Sequence, residues 1–232
     1  MALKGLAMAH PEYPADLDTL TCSWYYTWGT DVSRLSDPRY VPMSRDGSMV
    51  DLPADYAGYL LVFNEPNVHE PNGCNLKVGV GLCRYKSLVE KYPQAKMIVA
   101  GVNQGDGVSS ENWIKAFRDG LPDYRLGKPY GYALHGYCTG SKSTPTLLER
   151  WWKNMHSWVE LPIWITEYND TKGRAGNLKS ITEWIKQQPW IERYACFTNR
   201  SNNEPWAIGS GCNLIDWNTG QLTASGKYFA TI

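Results

Sequence analysis

The chain has 232 residues, 43% of them hydrophobic and 20% charged, a balance that fits a folded globular protein and excludes a disordered one. Lysine plus arginine and aspartate plus glutamate both total 23, so the formal net charge is zero and the basic footprint of a nucleic-acid or membrane-surface binder is missing. No apolar run reaches transmembrane length; the expected partner is a neutral molecule, with no nucleic acid and no membrane.

Short apolar runs recur along the chain, each followed by polar or helical sequence. They fall at residues 4–8, 21–28, 40–44 and 59–65, then at 97–103, 131–137, 162–168 and 193–199. Eight runs at an average of about 29 residues match the repeat of a compact β/α barrel. Between the later runs, Leu82, Tyr85, Val89 and Tyr92 fall on one helical face, as do Leu148, Trp151, Trp152, Met155 and Val159. Pro93 ends the first of these helices, and Pro189 ends the one that carries Ile181, Trp184 and Ile185. Residues 53–56 give only a weak helix signal, so the early half reads as trimmed. No linker, low-complexity run or charge block divides the chain, which predicts one domain over residues 1–232. A doubly wound sheet is the alternative, but it needs open edges, and no glycine-rich phosphate loop follows the first run. The fold expected is α/β, a compact single-domain (β/α)8 TIM barrel.

Six cysteines (Cys22, Cys74, Cys83, Cys138, Cys196 and Cys212) contain no C-x-x-C pair, so no zinc site is expected. Cys74 and Cys83 are spaced to close a short loop, while a set of small buried thiols fits equally well. Of four histidines (His10, His69, His135, His156), His156 falls in a predicted helix, which argues against a metal-dependent barrel hydrolase. Neither metal nor cofactor is expected. The first residues lack a signal peptide's basic segment and long apolar core, which suggests an intracellular protein or a chain given without its leader. Eleven tryptophans and fifteen tyrosines against four phenylalanines are the compositional outlier. Both types join a flat apolar face to a hydrogen-bonding edge, as a surface that meets sugar rings requires.

In a β/α barrel the chemistry sits at the C-terminal ends of strands. Glu65 closes the run YLLVF and is followed by Pro66; Glu167 closes PIWIT. Simple alternation puts Leu61, Phe63 and Glu65 on one face, and Ile163, Ile165 and Glu167 on one face, so both carboxylates are expected to point into the barrel mouth. An inward carboxylate loses solvation, and a salt bridge at the rim would explain one of them. Two of them across one mouth fit the paired carboxylates of glycoside hydrolysis better, one protonating the leaving oxygen while the other attacks.

FNEPN (residues 63–67) resembles the fourth-strand motif of clan A glycoside hydrolases, and WITEYN (164–169) their seventh-strand nucleophile motif. With SWYYTWG (23–29), HGY (135–137) and the closing DWNTGQLTASGKYFA (216–230), nearly the whole chain resembles glycoside hydrolase family 128, endo-β-1,3-glucanases related to a fungal secreted family. The resemblance implies a retaining enzyme with Glu65 as acid/base and Glu167 as nucleophile, a neutral polysaccharide substrate, a secreted protein and a monomer. It implies that Asn64 bonds a sugar hydroxyl and Glu167, and that Tyr137 orients the nucleophile. His135 would share Tyr137's inward face, in contact with substrate or as a buried hydrogen-bonded histidine. Tyr26 and Trp28 are candidates for sugar stacking and Trp206 for a platform or lid, whereas Trp24 reads as barrel core. Two departures stand out. Cys196 or Phe197 occupies the place of a strand-eight tryptophan, and Gly136 stands where a large aromatic is common, so a barer pocket floor is expected. The competing readings are a clan A glycosidase for another β-linked polysaccharide and a non-catalytic carbohydrate-binding barrel.

Overall fold

The computed structural model describes residues 2–104, 109–140, 143–202, 208 and 210–232; Trp206 lies outside them. All eight expected strands form: β1 (Leu3–Ala7), β2 (Trp24–Tyr26), β3 (Met43–Ser44), β4 (Tyr59–Val62), β5 (Lys96–Asn103), β6 (Gly131–Cys138), β7 (Ile163–Asp170) and β8 (Ile191–Phe197). They pair in parallel in the order β2-β1-β8-β7-β6-β5-β4-β3. A parallel bridge between Tyr25 and Tyr40 links β2 to the chain just before β3 and closes the ring. The result is a (β/α)8 barrel.

The early half is trimmed as expected. Only the short α1 (Ala15–Thr19) separates β1 from β2, and a 3-10 turn, Val32–Ser36, separates β2 from β3. The weak signal at residues 53–56 is a turn, not a helix. The later half carries α2 (Val78–Lys91), α3 (Ser110–Gly120), α4 (Pro145–Val159), α5 (Ala175–Lys186) and α6 (Ala224–Ala230). Thr144 caps α4 through its hydroxyl, which accepts from the Leu147 N–H, and Pro145 opens the helix without losing a needed donor. The α4 face Leu148, Trp151, Trp152, Met155 and Val159 is buried against the barrel. All six cysteines are free thiols, with Cys83 exposed, so the 74–83 loop is not closed by a bond.

Each strand contributes an apolar side chain to the barrel interior, among them Ala7, Trp24, Met43, Leu61, Ile98, Ala133, Trp164 and Ala195. The larger shell between strands and helices takes Phe63, Ile163 and Ile165. This overturns the alternation expected from the sequence. On β7 the inward residue is Trp164; pairing with β6 then jumps from Leu134–Ile165 to His135–Glu167, so Thr166 is an extra, bulged residue. The bulge reverses the phase and turns Glu167 inward although Ile163 and Ile165 face outward. On β4 the reversal comes from backbone torsion. Phe63 has φ +71° and packs outward against Trp113 and Phe117, and Glu65 follows at φ +47°.

Candidate active site

The turned chain at Phe63–Glu65 is held from both sides. Phe63 and Asn64 N–H groups donate to the Ser44 and Arg45 carbonyls beside β3, and the Glu65 N–H donates to the Gly101 carbonyl of β5 at 3.0 Å. Gly101, itself at φ +53°, suits this close packing: a Cβ there would be strained and would press on the Phe63 oxygen at 3.1 Å and on His135 Nε2 at 3.3 Å. Non-glycine residues with positive φ, each costing about 1–3 kcal/mol, gather at this mouth: Trp28, Phe63, Glu65 and Ala100.

These constraints bring Glu65 and Glu167 together. A carboxylate oxygen of each, with a ring nitrogen of His135, lies within 4.8 Å of the others, and all three residues are buried. Glu167 accepts three hydrogen bonds. Tyr26 OH (3.0 Å) and Trp28 Nε1 (2.8 Å) donate to Oε1, and Tyr137 OH (2.5 Å) donates to Oε2. Burial, followed by the Glu167 charge, drives both phenols well above the usual tyrosine range, so they stay protonated and act as donors. His135 Nδ1 bonds Glu65 Oε1 at 2.8 Å and stands 3.5 Å from Glu167 Oε2. Burial lowers the imidazole's pKa, but the Glu167 charge and the bond to Glu65 outweigh it, and the net direction is upward.

Above the pair opens a cleft of about 770 Å³, within the usual range for a ligand site. One wall is rich in amides, with Asn64, Asn72, Asn103 and Gln104; the other carries Ala9, Trp28, Phe197 and Ile208. Several expected roles change in place. Tyr26 is fully buried and serves Glu167 rather than stacking on a sugar. His135 is also fully buried, beneath the cleft between the two carboxylates. Trp28 does line the cleft, but its indole N–H is committed to Glu167. Asn64 lines it too; Nδ2 donates to the Asn72 carbonyl at 3.5 Å rather than to Glu167, and its buried Oδ1 has no protein partner. Trp24 is interior, stacked on Tyr26. The pocket floor is not bare. Phe197 fills the strand-eight place, with ring contacts to Trp28 and Tyr137 at 5.6 and 5.9 Å. Gly136 faces the opposite way, since a Cβ there would strike Trp152 and Leu148 outside the barrel.

Glu65, His135 and Glu167 are also the one group of possible metal ligands among the described residues. Their facing atoms are already used in proton-mediated contacts: Nδ1 bonds Glu65, and both Glu167 oxygens accept from N–H or O–H groups.

Curated proteins yield no match. Among solved structures, the chain is similar to a family 128 subgroup I endo-β-1,3-glucanase from Amycolatopsis mediterranei in complex with laminaritriose, at 21% identity and TM-score 0.77, covering 100% of this chain and 99% of that one. It is similar to a subgroup II endo-β-1,3-glucanase from Sorangium cellulosum at 20% identity and TM-score 0.73, covering 99% and 98%. A subgroup III curdlan-specific exo-β-1,3-glucanase from Blastomyces gilchristii, in complex with glucose, gives 21% and 0.73, covering 99% of each chain. At these identities the likeness establishes the barrel. The family model for the glycosyl hydrolase catalytic core matches residues 5–229, and the chain belongs to that family of glycoside hydrolases.

Proposed function

We propose that the protein is a retaining endo-β-1,3-glucanase with Glu65 as acid/base and Glu167 as nucleophile. The observation that carries this reading is the pair itself: carboxylate oxygens within 4.8 Å across one cleft, with three donors fixing Glu167. Retaining enzymes hold their carboxyl groups about 5–5.5 Å apart, whereas inverting ones leave about 6.5–9.5 Å for a water.

In the first step Glu167 attacks the anomeric carbon as the bond to the leaving sugar breaks, and Glu65 gives that sugar's oxygen a proton. His135 holds Glu65 in place through Oε1. In the second step Glu65 takes a proton from water, whose oxygen displaces Glu167 and restores both carboxyl groups. The donors from Tyr26, Trp28 and Tyr137 hold Glu167 oriented for attack. Support for the β-1,3 linkage comes from the similar proteins, which are β-1,3-glucanases crystallised with laminari-oligosaccharides or glucose. A neutral chain suits a neutral polymer.

The test is a panel of linear β-1,3-, β-1,4- and mixed-linkage glucans, followed by NMR of the first-formed product. Cleavage of β-1,3 chains within their length, releasing the β-anomer, is expected. Release of the α-anomer would remove the double displacement. Glucose as the sole early product would replace endo with exo action, and activity confined to β-1,4 chains would replace the substrate.

A further inference from the structure

Ala9 lines the cleft, and the chain beyond it runs on along the barrel's rim. Strand β1 leaves the barrel at Ala7, and the Ala9 N–H is tied to Thr198 Oγ1 at 3.0 Å. The next residue, His10, is clamped by Asn199, which accepts from its N–H at 3.3 Å and donates to its carbonyl at 3.0 Å. His10 meets the ring of Trp217 at 4.8 Å, and Tyr13 meets the same ring at 6.3 Å and 81°. We propose that His10, Tyr13 and Trp217 form a sugar-stacking platform that carries the polysaccharide onward from the cleft over the β1 and β8 loops. The proposal rests on the reading of the protein as a β-1,3-glucanase.

Three features support it. The cluster is accessible: Tyr13 is 37% exposed, and His10 and Trp217 are half-buried. It is also held before any ligand arrives. Arg200 lies 4.2 Å over the Tyr13 ring and is fixed by two 2.9 Å bonds to Asp16, while Asp216 accepts from the Asn218 and Thr219 N–H groups to set the turn that presents Trp217. A fixed aromatic surface binds a sugar face without first losing rotamer freedom. The third feature is direction. Two of Glu167's three donors, Tyr26 and Trp28, come from the β2 side, and Glu167 shares the cleft with Phe197 of β8, whereas Glu65 follows the end of β4. The sugar that becomes bonded to Glu167 therefore lies on the platform's side, and the occupant is the glycone end of the same neutral chain. The His10–Glu12 pair at 2.8 Å adds acceptors and donors for its hydroxyls.

The test compares kcat/KM on β-1,3-linked trisaccharide and hexasaccharide for the unmodified enzyme, Trp217→Ala and Trp217→Phe, with melting temperatures to verify folding. In Trp217→Ala the hexasaccharide-to-trisaccharide ratio should fall about five- to tenfold, and in Trp217→Phe most of it should return. A ratio unchanged in a folded Trp217→Ala variant overturns the platform, as does an equal loss on both substrates. If the unmodified enzyme cleaves neither oligosaccharide, the substrate assignment falls first and takes the platform with it.

Discussion

The two ends of the barrel hold two glutamates in nearly the same cage. At the C-terminal end Glu167 accepts from two tyrosine hydroxyls and one tryptophan N–H. At the N-terminal end Glu192 does the same, from Tyr59 (3.0 Å), Tyr130 (3.2 Å) and Trp164 Nε1 (3.0 Å). Donors alone therefore do not make a nucleophile. Around Glu192 the guanidinium of Arg193 lies over Trp164 and Tyr59 at 4.5 and 4.6 Å, a cation beside the anion. Around Glu167 the neighbours are a second carboxylate, a histidine bridging to it, and an open cleft. One cage closes the barrel bottom, and the other opens on the cleft.

The comparison breaks most sharply by substitution at its centres. Glu167→Gln should cost about 10⁴-fold or more in kcat, and Glu65→Gln about 10²–10⁴-fold, because each removes one ionisable group and keeps the shape. Melting temperature should change little in either, since glutamine keeps the shape and its amide oxygen can still accept a hydrogen bond. Glu192→Gln should do the opposite: kcat within about twofold, but stability lower by about 1–2 kcal/mol, with about 2–4 °C lost per kcal/mol at this size. Steady-state kinetics and thermal melts on the three purified proteins measure both. A large rate loss in Glu192→Gln would erase the distinction.

Removing one donor sharpens the contrast. Tyr137→Phe deletes a bond to a charged acceptor and should lower kcat about 10–100-fold; Tyr130→Phe, at the other end, should leave kcat unchanged. Trp28 does two jobs, and two variants separate them. Trp28→Phe keeps a ring in the cleft but loses the N–H and should lower kcat with little change in KM. Trp28→Ala should lower kcat and raise KM together. If Trp28→Phe retains full turnover, the indole N–H has no part in setting Glu167.

The smallest expected effect is on stability against pH. The pKa of His135 is raised in the folded protein, so its charged form favours folding below the ordinary imidazole value near 6.5. That contribution is lost as pH rises through the raised value. Melts between pH 5 and pH 9 should show this decline in the native protein and a flatter curve in His135→Gln. Parallel curves would mean that the two carboxylates do not hold a proton on His135.

Much of this was legible in the sequence, for physical reasons. The eight strands announce themselves because buried parallel strands are short, dense apolar runs, and a glutamate at the end of such a run has few structural explanations. The site's fine structure lay beyond that reasoning. Counting by twos places Glu167 correctly at the mouth but puts Ile163 and Ile165 on the wrong face, because the bulge at Thr166 leaves no mark in residue type. Phe63 likewise faces outward because its backbone turns left-handed, with room left by Gly47, where a Cβ would lie 2.4 Å from its ring. Tyr26 and Trp28 both bond one oxygen of Glu167, 139 to 141 residues away in the chain, a convergence that only the closed ring produces. The Glu192 cage, joining β4, β7, β8 and the residue before β6, was invisible for the same reason.

The central claim is that Glu167, and not its caged counterpart or its partner across the cleft, bonds covalently to the sugar. Incubation with an activated 2-deoxy-2-fluoro-β-glucoside or its laminaribiose analogue slows the second step more than the first and lets the glycosyl-enzyme accumulate. Peptide mapping by mass spectrometry should then find one added sugar per chain, on the peptide that contains Glu167, with loss of activity in proportion. A sugar on the peptide bearing Glu65, or inactivation with no covalent adduct at either glutamate, would contradict the account.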